Sequence, residues 1–183
     1  MIEWFDYGIL DWFQSIHTPV LSYVLNWITM SGEAGIIWIA MGLLLLFPKE
    51  TRKTGIVVLL ALLFCLLTGN VLLKNIVARP RPCWRHPEVE MLVSIPKDYS
   101  FPSGHAMSSF AAAVSVFLYH KRWGIAALAL ATVMSMSRLY FYVHYPTDVL
   151  AGLVIGVLLA FLARGIVEKQ WERRRRKQRK VKK

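Results

Sequence analysis

Five apolar runs separated by short polar stretches give the chain its rhythm. They cover about Ala34 to Phe47, Gly55 to Leu73, Ala106 to Tyr119, Trp123 to Ser137 and Val149 to Ala163. A helix needs roughly twenty apolar residues to cross the hydrocarbon core of a bilayer, and only the second run approaches that unaided. The others reach it by taking in polar residues at their ends. Polar groups carried to membrane depth face a bundle interior and mark function. The pattern predicts an all-α, multi-pass transmembrane helical bundle of about five spans, with residues 34–165 as its core.

Residues 1–33 read differently. Trp4, Phe5, Ile9, Leu10, Trp12 and Phe13 fit one face of a short helix, with Glu3, Asp6 and Asp11 interspersed. Tryptophan favours headgroup depth, so the pattern predicts an interfacial helical region. Thr18-Pro19 opens a second helix, roughly Val20 to Met30, closed by Ser31-Gly32. That helix is too short to cross, and a sixth crossing over residues 8–30 is the alternative. The acidic start lacks a basic n-region and a long h-region, so no cleavable signal peptide is expected.

Composition sharpens this picture through charge. Hydrophobic residues make up 56% of the chain and mean hydropathy is +0.44, which excludes an ordinary soluble domain. The net charge is +11, and ten Lys and Arg residues between Lys169 and Lys183 face only Glu172. Residues 166–183 are therefore read as a basic cytoplasmic tail that meets anionic lipid. Nothing elsewhere resembles a nucleic-acid module, so no nucleic-acid partner is expected. The loops 48–53 and 120–122 are also basic, and five alternating helices put both on the tail's side, which the positive-inside rule makes cytoplasmic. The loop 78–101 then lies outside, although it carries Arg79, Arg81 and Arg85. Three arginines on the wrong side call for an anionic ligand. Cys65 and Cys83 are set too far apart along a helix for a disulfide and have no metal-ligand spacing.

Three clusters sit at the outward ends of the runs. The first is Lys74, six residues, then Arg81-Pro82. The second is Pro102-Ser103-Gly104-His105. The third is Ser137-Arg138, five residues, His144, three residues, Asp148. Singly each has a plain reading: a snorkelling lysine, a turn and helix cap, a structural histidine. Together they put three cations, two histidines and a carboxylate at one depth.

Cleavage of a phosphate ester calls for this inventory. The transferring phosphoryl group spreads charge over its equatorial oxygens and needs cations and N–H donors. Lys74, Arg81 and Arg138 are the cations. Ser103 offers a hydroxyl, Gly104 allows close approach, and backbone N–H groups open a helix there. One histidine attacks phosphorus and another protonates the leaving oxygen. Asp148, four residues after His144, is placed to accept its Nδ1–H and present Nε2 to phosphorus.

These positions resemble the type 2 phosphatidic acid phosphatase superfamily, whose signature is Lys-x6-Arg-Pro, Pro-Ser-Gly-His and Ser-Arg-x5-His-x3-Asp. Every defined position is matched, over about residues 34–165. The resemblance implies His105 as general acid, His144 as the nucleophile that becomes phosphohistidine, and Asp148 as its orienting carboxylate. It implies no metal or other cofactor and a site facing outside. Bacterial relatives often carry a further N-terminal span, which the chain lacks on this reading. The substrate class implied is a lipid phosphate or diphosphate: undecaprenyl diphosphate, phosphatidic acid or phosphatidylglycerol phosphate. A vanadate-holding haloperoxidase and a non-enzymatic transporter or scaffold are the rival classes. The soluble haloperoxidases disagree with the apolar runs, and the third class has no use for the two histidines and their cations.

Other residues are read more plainly. Arg79-Pro80 is a rival register for the first motif, rejected because only Arg81 follows Lys74 at six intervening residues. His17 and His86 are read as surface residues without partners, and Glu88 and Glu90 as part of a solvated loop. Gly152 and Gly156 form a Gly-x-x-x-Gly pair, read as tight helix packing within the bundle or between subunits of a homo-oligomer.

Overall fold

A computed structural model describes residues 2–181; Met1, Lys182, Lys183 and the side chains of Ile2, Glu3, Lys177, Arg179, Lys180 and Val181 lie outside the described residues. The described residues form helices joined by turns and loops, the longest loop between Arg85 and Gly104. Helix α1 spans Ile2–Ser15 and α2 Pro19–Ser31. Thr18 caps α2 through its hydroxyl, with Pro19 in the first turn, where a missing N–H costs nothing. A 3-10 turn at Glu33–Gly35 follows, with Ala34 and Gly35 in the left-handed region (φ 50° and 72°), and α3 runs over Ile36–Leu44. The turn bends α2 and α3 by 44°.

Helix α4 (Arg52–Cys65) passes through a π-helical stretch, Leu66–Leu73, into the short α5 (Lys74–Val77) and α6 (Pro82–Arg85). The wider π turn ends at Lys74, a placement typical of functional sites. Helices α7 (Gly104–Phe117), α8 (Lys121–Tyr140) and α9 (Pro146–Val181) complete the bundle. Helix α7 is central. Its small residues Ala106, Ala111, Ala112 and Ala113 are fully buried and let its neighbours come close. Val57, Ala61 and Cys65 of α4 meet Met107 of α7 and Ala163 and Val167 of α9, while Trp38 of α3 and Ala127, Ala131 and Met134 of α8 pack on its other side. Both cysteines are free.

Three segments are long and apolar enough to cross a membrane: Arg52–Arg85, Lys121–Tyr140 and Pro146–Arg176. Taken as one span, the bent pair α2–α3 would make a fourth, and the apolar segment Gly104–Tyr119 is shorter. Within the expected first span at Ala34 to Phe47, Ala34 and Gly35 take left-handed φ and the helix runs over Ile36–Leu44. Helix α1 packs on α8 and α9, and α2 on α8. Helix α9 runs unbroken into the basic segment.

The glycine pair has one use here. A Cβ on Gly152 would meet the Ser103 carbonyl oxygen at 2.7 Å, and one on Gly156 the Met107 oxygen at 2.3 Å. Both glycines serve contact between α9 and α7 inside the bundle, which removes the ground they offered for subunit contact.

Candidate active site

The three sequence clusters meet at one end of the bundle. Lys74 arrives at the end of the π turn, Arg81 in front of α6, Gly104 and His105 in the first turn of α7, Arg138 in the last turn of α8, and His144 in the turn before α9. All six line a cleft of about 860 Å³. Its other walls are mixed: Ile39 from α3 and Leu59, Leu62, Leu63 and Leu66 from α4 and the π turn form an apolar side, while Asn26, Thr29, Glu33 and Asn70 are polar. A Cβ on Gly104 would lie 3.2 Å from Asn70 Oδ1.

His144 is buried, and Arg81 Nη1 stands 3.1 Å from its Nε2. The same nitrogen donates to the Val143 carbonyl at 2.7 Å, which fixes the guanidinium against the turn that carries the histidine. Burial first, then the charges of Arg81 and Arg138, pushes the imidazole down to about 3 against the opposing pull of Asp148. His144 is therefore neutral at neutral pH. His105 Nε2 lies 3.3 Å from the Thr29 carbonyl oxygen, which can only accept, so that nitrogen carries the proton. Arg138 donates to Thr29 Oγ1 at 2.6 Å, while its buried Nε has no partner among the described residues.

Asp148 is fully buried in the first turn of α9 and stands 3.7 Å from His144 Nδ1, too far for the direct hydrogen bond expected from the sequence. Ser100 occupies the gap. Its hydroxyl donates to Asp148 Oδ2 and lies 3.5 Å from His144 Nδ1. Asp148 also accepts the Tyr145 N–H at 3.0 Å and Arg79 Nη1 at 2.6 Å. Ser103 does not line the cleft; it is buried, its hydroxyl caps α7 at the Ala106 N–H, and its own N–H donates to the Asp148 carbonyl.

A carboxylate that sequence reasoning missed sits among the cations. Asp98 accepts Arg81 Nη2 at 2.8 Å through one oxygen and Lys74 Nζ through the other. Burial works to raise its carboxyl, but Lys74 and Arg81 outweigh it and hold the group down to about 2. Thr29, Ser100, Arg79 and Asp6 were missed as well. His17 and His86, read as partnerless, are both engaged: His17 Nε2 lies 2.8 Å from the Tyr140 carbonyl, and His86 Nδ1 lies 2.8 Å from Glu88 Oε1.

A model of the PAP2 superfamily matches residues 54–172. An undecaprenyl-diphosphatase of Sulfolobus acidocaldarius is 37% identical over 128 residues, 69% of this chain and 62% of that protein. Phosphatidylglycerophosphatase B of Bacillus subtilis is 32% identical over 168 residues, 84% of this chain and 79% of that one. The crystal structure of a transmembrane PAP2 type phosphatidylglycerolphosphate phosphatase from Bacillus subtilis superposes with a TM-score of 0.71 at 30% identity, covering 90% of this chain and 85% of that one. Against the Sulfolobus protein the match spans less than two thirds of the relative's own length.

Proposed function

The chain belongs to the PAP2 superfamily, and from that premise we propose that it is a metal-independent membrane phosphatase that hydrolyses a lipid phosphate or lipid diphosphate through a phosphohistidine on His144, at the outer face. One observation carries the reading. A neutral, buried imidazole points its Nε2 at an arginine inside a cleft that gathers three cations and has leucines along one side.

The phosphate enters in place of the Asp98 carboxylate, and its oxygens take Lys74, Arg81 and the unpaired Nε of Arg138. Fixed cations then meet the charge of the transition state without reorganising. His144 Nε2 attacks phosphorus, the P–O bond to the leaving group breaks, and His105 gives its proton to the departing oxygen. Water, losing a proton to His105, next attacks the phosphohistidine, and the P–N bond returns its electrons to His144. The leucine-lined wall suits an apolar tail, which favours a lipid over a soluble ester. Among the described residues no three His, Cys, Asp or Glu side chains cluster as metal ligands, and the cation set already supplies what a metal would.

Assay of the purified protein in detergent with excess chelator tests this reading, comparing kcat/KM on undecaprenyl diphosphate, phosphatidic acid and phosphatidylglycerol phosphate. Turnover persists in EDTA, and vanadate inhibits as an analogue of the in-line transition state. Better turnover of a non-lipid phosphate overturns the lipid assignment, and recovery only with Mg²⁺ overturns metal independence.

Five crossings, with α7 as the short one, put the site outside and the basic end of α9 in the cytoplasm. Impermeant thiol reagents then label a cysteine placed at residue 90 and miss one at residue 175; the reverse pattern rules the orientation out.

Because Asp98 competes for two of the cations, Asp98→Asn lowers KM by roughly twofold to fivefold, the worth of a partly exposed ion pair, with kcat little changed. An unchanged KM means that substrate does not displace it.

A further inference from the structure

The residue rejected as a rival register for the first motif, Arg79, holds the most connected side chain behind the site. Its Nη1 donates to Asp148 Oδ1 at 2.6 Å and to Thr147 Oγ1 at 2.8 Å, and its Nη2 donates to Asp6 Oδ2 at 2.6 Å. The guanidinium lies 3.8 Å over the ring of Tyr145, the residue next to His144. Asp6 is fully buried on a helix otherwise rich in exposed aromatic residues. Besides Arg79 it accepts the Thr147 N–H at 3.1 Å and the Thr147 hydroxyl at 2.8 Å. A buried carboxylate is costly unless it is fully paired, and this one is paired only because α1 docks on the start of α9.

We infer that Arg79 and Asp6 form a positioning pair that clamps Asp148, and through it His144, making helix α1 a working part of the site. The inference rests on the functional reading above. Arg79 does not line the cleft, unlike Arg81 two residues on, so it reads carboxylates while Arg81 reads phosphate. Its planar fork suits the task, because one guanidinium can bridge two carboxylates at fixed angles and a lysine cannot. Arg79 also acts through its backbone. Its carbonyl accepts the Ser100 N–H at 2.9 Å, and Ser100 is the hydroxyl that stands between Asp148 and His144. Both groups that face His144 Nδ1 are thus held from one residue. The trio Asp6, Arg79 and Asp148 keeps one net negative charge beside the imidazole, which favours the cationic character His144 gains as it attacks.

The test compares Arg79→Gln, Arg79→Lys and Asp6→Asn, each checked for cooperative thermal unfolding. Arg79→Gln lowers kcat by about tenfold to a hundredfold, the usual size for a group that orients a reacting one, and leaves KM within about threefold. Asp6→Asn shifts kcat in the same direction by less, and Arg79→Lys recovers part of the loss. In an Asp148→Asn background the further loss from Arg79→Gln is small, because both act along one path. A raised KM with kcat intact would make Arg79 a phosphate ligand and overturn the inference. So would full additivity with Asp148→Asn, or an Asp6→Asn protein of unchanged kcat. Nitrogen NMR of the imidazoles provides a readout apart from turnover. With five histidines, the His144 signal is identified by its loss in His144→Ala. Arg79→Gln or, if that variant does not fold, Asp6→Asn shifts its Nδ1 resonance, and an unmoved resonance sinks the clamp. A wild-type protein inert toward every phosphate ester would instead sink the functional reading, and the resonance would still decide the positioning.

Discussion

His144→Ala leaves no phosphate on the protein when turnover is quenched in alkali, and lowers kcat by roughly a millionfold, the loss seen when a hydrolase is deprived of its nucleophile. The geometry dictates the size of the effect. Among the described residues Arg81 hydrogen-bonds the imidazole of His144, while His105 is turned to the Thr29 carbonyl. The pH dependence follows with a definite sign. Burial and two arginines push the His144 imidazole down to about 3, so the attacking lone pair is free at neutral pH and is lost only on strong acidification. The acid limb of kcat/KM, which reports the free enzyme, therefore lies well below the ordinary histidine value. A limb near 6.5 would show that the nucleophile titrates as an exposed group does. Phosphate trapped on His105 instead would exchange the two roles.

His105→Ala separates substrates by leaving group. Lipid alkoxides need a proton as they depart, and general acid catalysis is worth roughly a hundredfold to ten-thousandfold, so turnover of lipid esters falls by that factor. p-Nitrophenyl phosphate expels a stabilised phenolate and keeps far more of its rate. The phosphoenzyme still forms from it, because His144 and its cations are untouched. Equal losses on both substrates would mean that His105 shapes the cleft and does not donate the proton.

What was legible in the sequence was whatever is fixed by spacing along one chain segment. Lys74 and Arg81 are joined by the end of one helix, Pro102 to His105 form one cap, and Arg138 to Asp148 bracket one turn; the fold brings them to one cleft, though Ser103 and Asp148 stand behind its wall. Contacts across the bundle left no such trace. Asp6 lies 73 positions from Arg79, and Thr29 lies 109 from Arg138. Ser100 and Asp98 sit in a loop whose polar composition looks like any solvated connection. Arg79 was visible as one of three arginines on the unexpected side of the membrane. Its partner on α1 was hidden because an aspartate on a helix with exposed tryptophans reads as the wet face of that helix. The break at the start of the first apolar run was hidden because a left-handed Ala34 gives no hydrophobic signal, and the unbroken α9 was hidden because arginine and lysine are themselves good helix formers.

Asp98 has a further consequence for traffic at the membrane surface. An outer leaflet crowded with anionic headgroups would clog an uncovered cluster of three cations. A carboxylate tethered to that cluster competes at an effective concentration that no free lipid matches cheaply, on the millimolar scale of a short tether. A phosphodiester headgroup brings one charge and gains little by evicting it. On the proposed reading, a phosphomonoester or terminal diphosphate would bring more and displace it, so that the loop would set a threshold of charge for admission.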